Sequence, residues 1–228
     1  NYYGNASDRQ INQIKKNYKN LIIDNCHAFF SPPLKGAYNC YSTRKFFGVS
    51  DGAYLVKDNL KLKYDIERDK SYKNFNHLLK QLDMNTNEGY KDNLLNEERL
   101  NQNFKSMSFI TERILQSINY KKIQEIRNKN FHQMHNILGE YNEFPINTSS
   151  QTHMYYPFLN KDKDLRYKLI ENKIYNPFWW EHVLKIVPKD SIEYKLSLYT
   201  VMLPIDQRYN NKDIEDICKK VMQNLNIT

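Results

Sequence analysis

The chain has 228 residues, 40% hydrophobic and 14% aromatic, enough for one large domain or two small ones with a packed core. Its formal net charge of +8 comes from lysines scattered among Asn, Asp and Glu rather than gathered in one stripe, so it carries no nucleic-acid footprint. Few glycines and prolines exclude long linkers, Cys26, Cys40 and Cys218 are too few and too far apart for a zinc set or a disulfide framework, and no apolar run reaches membrane-span length. The expectation is a soluble, cytoplasmic protein with neither nucleic-acid nor membrane partners.

Ser7 to Gln10 has the spacing of a capping box and predicts a helix through Ile11 and Ile14 to about Lys19. Leu21, Ile22 and Ile23 form a short apolar run ending at Asp24, which reads as a central parallel strand covered on both faces with Asp24 at its carboxyl end. Open α/β sheets take ligands at such ends. A turn at Ser31, Pro32 and Pro33 precedes strands over 38–42 and 53–56. Phe75, Leu78, Leu79 and Leu82 share one helical face, a second helix covers about 94–104, and Ile110, Ile114 and Ile118 mark a third. A long fourth helix runs through Ile123, Ile126, Met134, Ile137 and Leu138 and stops at Gly139. The pattern then turns α+β: a strand near 153–158, a helix over 162–172, a strand near 198–203, and a closing helix whose face holds Ile214, Ile217, Cys218, Val221, Met222 and Leu225.

The stretch CYSTRKFFGVSDGAYLV, residues 40–56, sets Arg44 and Lys45 between a hydroxyl pair, Ser42 and Thr43, and two phenylalanines. Burying an ammonium costs several kcal/mol unless it is paired or loses its proton. Read alone an Arg-Lys pair is a surface pair; desolvated there beside another cation, the lysine would instead be neutral and nucleophilic.

Together YGN at 3–5, LIIDNCHAFF and YSTRKFFGVSDGAYLV resemble the second half of the large domain of the DegT/DnrJ-type aminotransferases, a fold-type I family that uses pyridoxal phosphate. MSFITERIL, IRNKN at 126–130, YYPFL, NKIYNPFWW and YTVMLPIDQRYNNKDIEDICKKV resemble that family's small C-terminal domain. The resemblance covers nearly all of this chain and only the back part of the family. It implies an α/β fold, part of a mostly parallel sheet flanked by helices over 1–105, followed by an α+β small domain over 106–228. It implies Lys45 as the Schiff-base lysine and proton carrier, Asp24 against the cofactor's ring nitrogen, and His27 beside the ring. No metal belongs to the set.

The family often has Ser five residues before its lysine to hold the cofactor phosphate, and Cys40 stands there; Ser42, Thr43 or Arg44 would take that contact. The turn reads Asp51, Gly52, Ala53 where many members have two glycines. The family's Gly-containing phosphate loop belongs to the front half, so the chain by itself is expected to bind the cofactor weakly and not to transaminate.

The resemblance implies an aminotransferase acting on a keto sugar, usually nucleotide-linked, with glutamate or glutamine as donor and a homodimer as the assembly. The alternatives are a sugar dehydratase or lyase on the same scaffold, disfavoured because the family's dehydratases carry His where Lys45 stands, and a non-catalytic truncated relative. His132 and His135 have a metal-compatible spacing but no third ligand nearby, and Trp179, Trp180 and the Tyr155–Tyr156–Pro157 run fit either a stacking surface for a nucleotide or sugar, or core and dimer surface.

Overall fold

The computed structural model describes residues 1–61, 65–99, 103–148, 152–176 and 178–227. It divides into two compact units, one made of Asn1 and Asp8–Tyr120, the other of Tyr2–Ser7 and Lys121–Thr228.

In the first unit, helix α1 (Asp8–Asn17) leads to strands β1 (Ile22–Asp24), β2 (Tyr38–Ser42) and β3 (Ala53–Val56), hydrogen-bonded in that order. β1 runs parallel to β2 with Asp24 opposite Cys40, and β3 returns antiparallel with Ala53 opposite Ser42. The α/β class is as expected, with a mixed sheet. Among the described residues β1 lies at the edge of this sheet, where a central strand was expected, and Ile22 is 70% exposed. Three consecutive apolar residues are therefore not diagnostic of a strand covered on both faces.

Helices α2 (Asn76–Asp83) and α3 (Thr86–Arg99) form a hairpin whose close approach depends on Gly89: a Cβ there would lie 2.6 Å from the His77 carbonyl oxygen. The second expected helix thus begins eight residues early, and residues 100–102 of the expected span lie outside the described residues. The expected leucine face of α2 is also not the buried one; His77 is buried, whereas Leu79 and Leu82 are 55% and 84% exposed.

Helix α4 (Phe109–Gln116) buries Thr111 and Leu115, and Ile110 of the isoleucine series faces out. Its N-terminus explains the rotation. Ser108 is the N-cap and accepts from the Thr111 amide at 3.2 Å, while the buried carboxylate of Asp51 accepts from the Ser108 amide at 2.7 Å, the Ser108 hydroxyl at 3.0 Å and the Thr111 hydroxyl. An anion at the positive end of a helix, satisfying its first donors, stabilises it by roughly 1–2 kcal/mol.

The second unit is built on α5 (Tyr120–Leu138), which begins at the last residue of the first. Against it pack the antiparallel strands β4 (Tyr156–Leu159) and β5 (Thr200–Leu203), paired Tyr156 with Leu203, and helices α6 (Leu165–Glu171) and α9 (Asn211–Asn224). Two short helices that the apolar spacing did not show, α7 (Val183–Ile186) and α8 (Ile192–Tyr199), fill the connection before β5. The core holds Phe131, Met134 and Leu138 of α5, Tyr156 and Phe158 of β4, Leu165 and Leu169 of α6, and Ile214, Ile217 and Val221 of α9. Each such side chain contributes roughly 1.5–3 kcal/mol on burial. α9 starts at Asn210, which caps the Lys212 and Asp213 amides while Asp213 reaches back to the Asn210 amide. Among the described residues no helix is long and apolar enough to cross a membrane.

The buried face of α5 is Arg127, Asn130, Phe131, Met134 and Leu138, so two polar residues occupy positions where Ile123 and Ile126 were expected. Both are tied to the chain leaving β5. The Asn130 side-chain amide donates to the carbonyls of Ile205, Asp206 and Tyr209, and Arg127 donates to the Gln207 side chain at 2.9 Å and the Met154 carbonyl at 3.1 Å.

Candidate active site

Lys45 stands in the tight turn that follows β2. Thr43 makes that turn: its carbonyl accepts from the amides of both Phe46 and Phe47, and its hydroxyl donates to the carbonyls of Asp51 and Gly52. Gly52 has φ 103, and a Cβ there would meet the Thr43 hydroxyl at 2.8 Å, so only glycine allows the chain to close against Thr43. Phe46 and Phe47 then turn into an aromatic core with Phe29 and Tyr120; the Phe29 and Phe47 rings meet edge to face at 4.7 Å. Two buried rings directly after Lys45 anchor its backbone.

The loop after β1 supplies the facing groups. Its start is tied to β2 by a bond from the Asn25 amide to the Cys40 carbonyl at 2.8 Å, and a turn follows in which Ala28 donates to Asn25. That turn sets the buried His27 so that its Nε2 lies 3.1 Å from Lys45 Nζ. The structure thus brings together two of the expected residues that lie eighteen positions apart. Asp24, at the end of β1, accepts from the Cys26 amide at 2.8 Å and is exposed rather than covered by apolar neighbours, because β1 is the edge of the sheet. Ser42 ends β2 and is half-buried.

Burial lowers the Lys45 ammonium below the ordinary lysine value, against the pull of Cys26, Asp24 and Glu97 and with a push from Arg44. His27 is pushed down to about 4 by burial and by the Lys45 charge, with Asp24 pulling the other way, so its ring is neutral at pH 7. For Asp24 burial alone would raise the carboxyl, but hydrogen bonds from the Cys26 thiol and amide prevail and hold it below the usual carboxylate value. The result is an amine shifted toward its neutral form, a neutral imidazole against it and an ionised carboxylate close enough to act on both.

Of the three groups expected to compete for a phosphate, two are committed. The Thr43 hydroxyl is spent on the turn and Arg44 is ion-paired with Glu97. His132 and His135 belong to the second unit, where His135 Nδ1 contacts the Tyr156 hydroxyl at 3.0 Å. Asp51 and Gly52 were legible as a turn, but the role of Asp51 as a cap on α4 was not, since Ser108 and Thr111 lie nearly sixty residues away.

No protein-family model and no curated protein matches this sequence. Solved structures do. The chain is similar to a protein of Bacillus cereus ATCC 10987 described as a PLP-dependent aminotransferase (TM-score 0.53, 10% identity), covering 96% of this chain and 62% of that one. It is similar to DesV of S. venezuelae (TM-score 0.55, 11% identity, 97% and 62% covered) and to a DegT DnrJ EryC1 StrS aminotransferase of Brucella abortus (TM-score 0.54, 12% identity, 96% and 61% covered). Over the matched part this chain has the fold of those aminotransferases. It spans about three fifths of their length.

Proposed function

We propose that this chain is part of a pyridoxal-phosphate-dependent aminotransferase that acts on a nucleotide-linked keto sugar, with glutamate or glutamine as amino donor. The observation that carries the reading is the 3.1 Å contact of a burial-lowered Lys45 amine with a neutral His27 at the end of a strand pair, on a fold shared with such enzymes.

The residues present fit the cofactor by their chemistry. A carbonyl-bearing cofactor needs an amine that is neutral at working pH, and Lys45 is shifted that way. A pyridine nitrogen that must stay protonated needs an ionised carboxylate, and Asp24 is held in that form. Lys45 would hold the aldehyde end, Asp24 the ring nitrogen, His27 the ring or its hydroxyl, and Ser42 the phosphate, since Thr43 and Arg44 are committed elsewhere. When bound, the cofactor supplies an electron sink for the substrate's α-carbon.

Lys45 then moves the proton. Its amine would accept the proton from the substrate carbon and carry it at Nζ, and His27 Nε2, 3.1 Å away, would aim the amine while it does so. His27 stays neutral in this role, because burial and Lys45 both oppose a second positive charge. A homodimer completes the reading: β3 leaves Tyr54 and Val56, two residues apart and so on one face, each 38% exposed, an apolar patch for a second copy to cover. The reading places the protein in the cytoplasm, where its three free thiols meet no oxidising pressure.

The test uses the complete protein supplied with pyridoxal phosphate. Borohydride reduction should fix the cofactor on Lys45, and Lys45→Ala should lose both the label and amino transfer from glutamate to a keto sugar. Label retained in Lys45→Ala would sink the assignment.

A further inference from the structure

Asp24 ends β1 and is exposed, so no apolar wall holds its side chain in place. An exposed carboxylate samples several orientations unless donors fix it. What fixes this one is Cys26, two residues on. The Cys26 amide donates to Asp24 Oδ1 at 2.8 Å, closing a turn in which the carboxylate is tied back to its own backbone. The Cys26 thiol donates to the same carboxylate, so one residue satisfies it twice.

The turn that presents Cys26 is itself anchored. The Asn25 amide donates to the Cys40 carbonyl at 2.8 Å, the buried Asn25 side chain accepts from the Asn1 side chain at 3.1 Å, and the Ala28 amide donates to the Asn25 carbonyl at 2.9 Å. Asp24 lies opposite Cys40 in the parallel ladder, on the face of the sheet that Ser42, two residues further along β2, also shares. A thiol serves as a donor only while it keeps its proton. Burial first, and the bond to Asp24 second, push the Cys26 thiol up to about 12, so at pH 7 it is a donor and not a nucleophile.

We propose that Cys26 is a positioning residue, whose thiol and amide together hold the Asp24 carboxylate in one orientation for the ring nitrogen it is to face. The consequence for catalysis rests on the aminotransferase reading, because Asp24 matters there as the partner of that nitrogen; the tie between Cys26 and Asp24 does not. Alanine or valine at position 26 would keep the amide and delete the thiol, and losing a hydrogen bond to the charged form of a carboxyl disfavours that form. Serine would keep a side-chain donor.

The test reads Asp24 directly. In the full chain labelled with carbon-13 at its aspartate carboxyls and free of cofactor, the resonance lost in Asp24→Asn identifies Asp24, and its titration is followed by NMR. Cys26→Ala and Cys26→Val should both move the Asp24 midpoint to higher pH than in the parent, and Cys26→Ser should keep it low. The other groups that face the carboxylate are the amino group of Asn1, Cys40, Lys45 and the neutral His27. They are the same in every variant, so the difference reports Cys26. In the complete protein supplied with pyridoxal phosphate, the alanine and valine variants should lose about three- to tenfold in kcat for amino transfer with KM for the donor unchanged, and serine should recover most of that loss. A midpoint unmoved in both Cys26→Ala and Cys26→Val, or raised as far in Cys26→Ser, would overturn the tie. Moved midpoints with kcat unchanged would overturn its role in the reaction. A parent that transfers no amino group would bring down the aminotransferase reading and the positioning role with it, while the midpoints would still decide the tie.

Discussion

Lys45 Nζ lies 3.1 Å from His27 Nε2, and neither position is accidental in the chain. The lysine is fixed by a turn built on Thr43 and Gly52, the histidine by a turn tied to β2 through Asn25. Because burial is the largest influence on Lys45, its amine should lose its proton below the ordinary lysine value. Competitive acetylation across pH, read residue by residue by mass spectrometry, should give Lys45 a profile displaced to lower pH. A Lys45 profile at or above the ordinary value would remove desolvation as the activating device.

Gly52→Ala should be severe for its size. The new Cβ would sit 2.8 Å from the Thr43 hydroxyl and 2.9 Å from a Thr111 methyl, on backbone at φ 103. Left-handed strain of about 1–2 kcal/mol and overpacking of about 1–3 kcal/mol act together there. Urea denaturation should show a loss in that combined range, and because the turn carrying Lys45 closes on this glycine, cofactor attachment should fall with it. Stability within error of the parent would mean the turn relaxes freely.

Asp51→Ala tests the cap on α4. It leaves the Ser108 amide, the Ser108 hydroxyl and the Thr111 hydroxyl without their acceptor in a buried place. A loss of roughly 2–3 kcal/mol is expected, with Asp51→Asn milder because its side-chain oxygen still accepts. Equal losses for the two variants would show that packing rather than hydrogen bonding sets the cost.

These sites also mark what was legible in the sequence. The strands over 38–42 and 53–56 were, because β-branched and aromatic residues are bounded by turn residues on each side. Lys45 and His27 could be singled out only through the resemblance, and their 3.1 Å contact is what the structure adds. The edge position of β1 was not legible, because Leu21 to Asp24 reads the same whether one neighbour strand or two lie beside it. Nor was the inward face of α5, where apolar periodicity pointed to Ile123 and Ile126 while Arg127 and Asn130 are the buried residues. The partners of Asn130 are backbone carbonyls 75 to 79 residues on, and carbonyls leave no trace in a sequence; those of Arg127 are the Gln207 side chain and the Met154 carbonyl, equally distant from any local pattern. The cap of α4 by Asp51 is hidden for the same reason of distance.

Asn130 allows a sharp comparison. Its side-chain amide faces three carbonyls and supplies two hydrogens to them. Asn130→Ala removes the donor and leaves buried carbonyls unpaired, at about 1–3 kcal/mol. Asn130→Asp sets a carboxylate against the same oxygens, so it must take up a proton or repel them, and should cost more than alanine although it is the closer isostere. Thermal melts of the two variants at pH 7 decide the order. A more stable aspartate variant would mean that the amide is not the donor that holds the chain after β5.

Acid should weaken the protein through its buried histidines before its carboxylates protonate. His153, in the second unit, stacks on Phe131 at 4.0 Å and has its ring nitrogens 3.2 Å from the Tyr3 and Asn147 carbonyls. Burial nonetheless pushes it down to about 4, and His27 stands at about 4 for the same first reason. Both folded values lie below the ordinary value of 6.5, so between pH 6.5 and 4 the unfolded chain binds protons that the folded chain refuses. The stability these neutral rings contribute is therefore complete above pH 6.5 and is lost as pH falls toward 4. For His153, which is 2% exposed, the shift corresponds to roughly 3 kcal/mol. Urea midpoints measured at pH 7, 5.5 and 4.5 should fall steadily, and His153→Gln, which replaces the ring by a group that does not titrate, should flatten the slope. A midpoint that holds constant down to pH 4.5 would show that the two facing carbonyls, not burial, decide the charge of that ring.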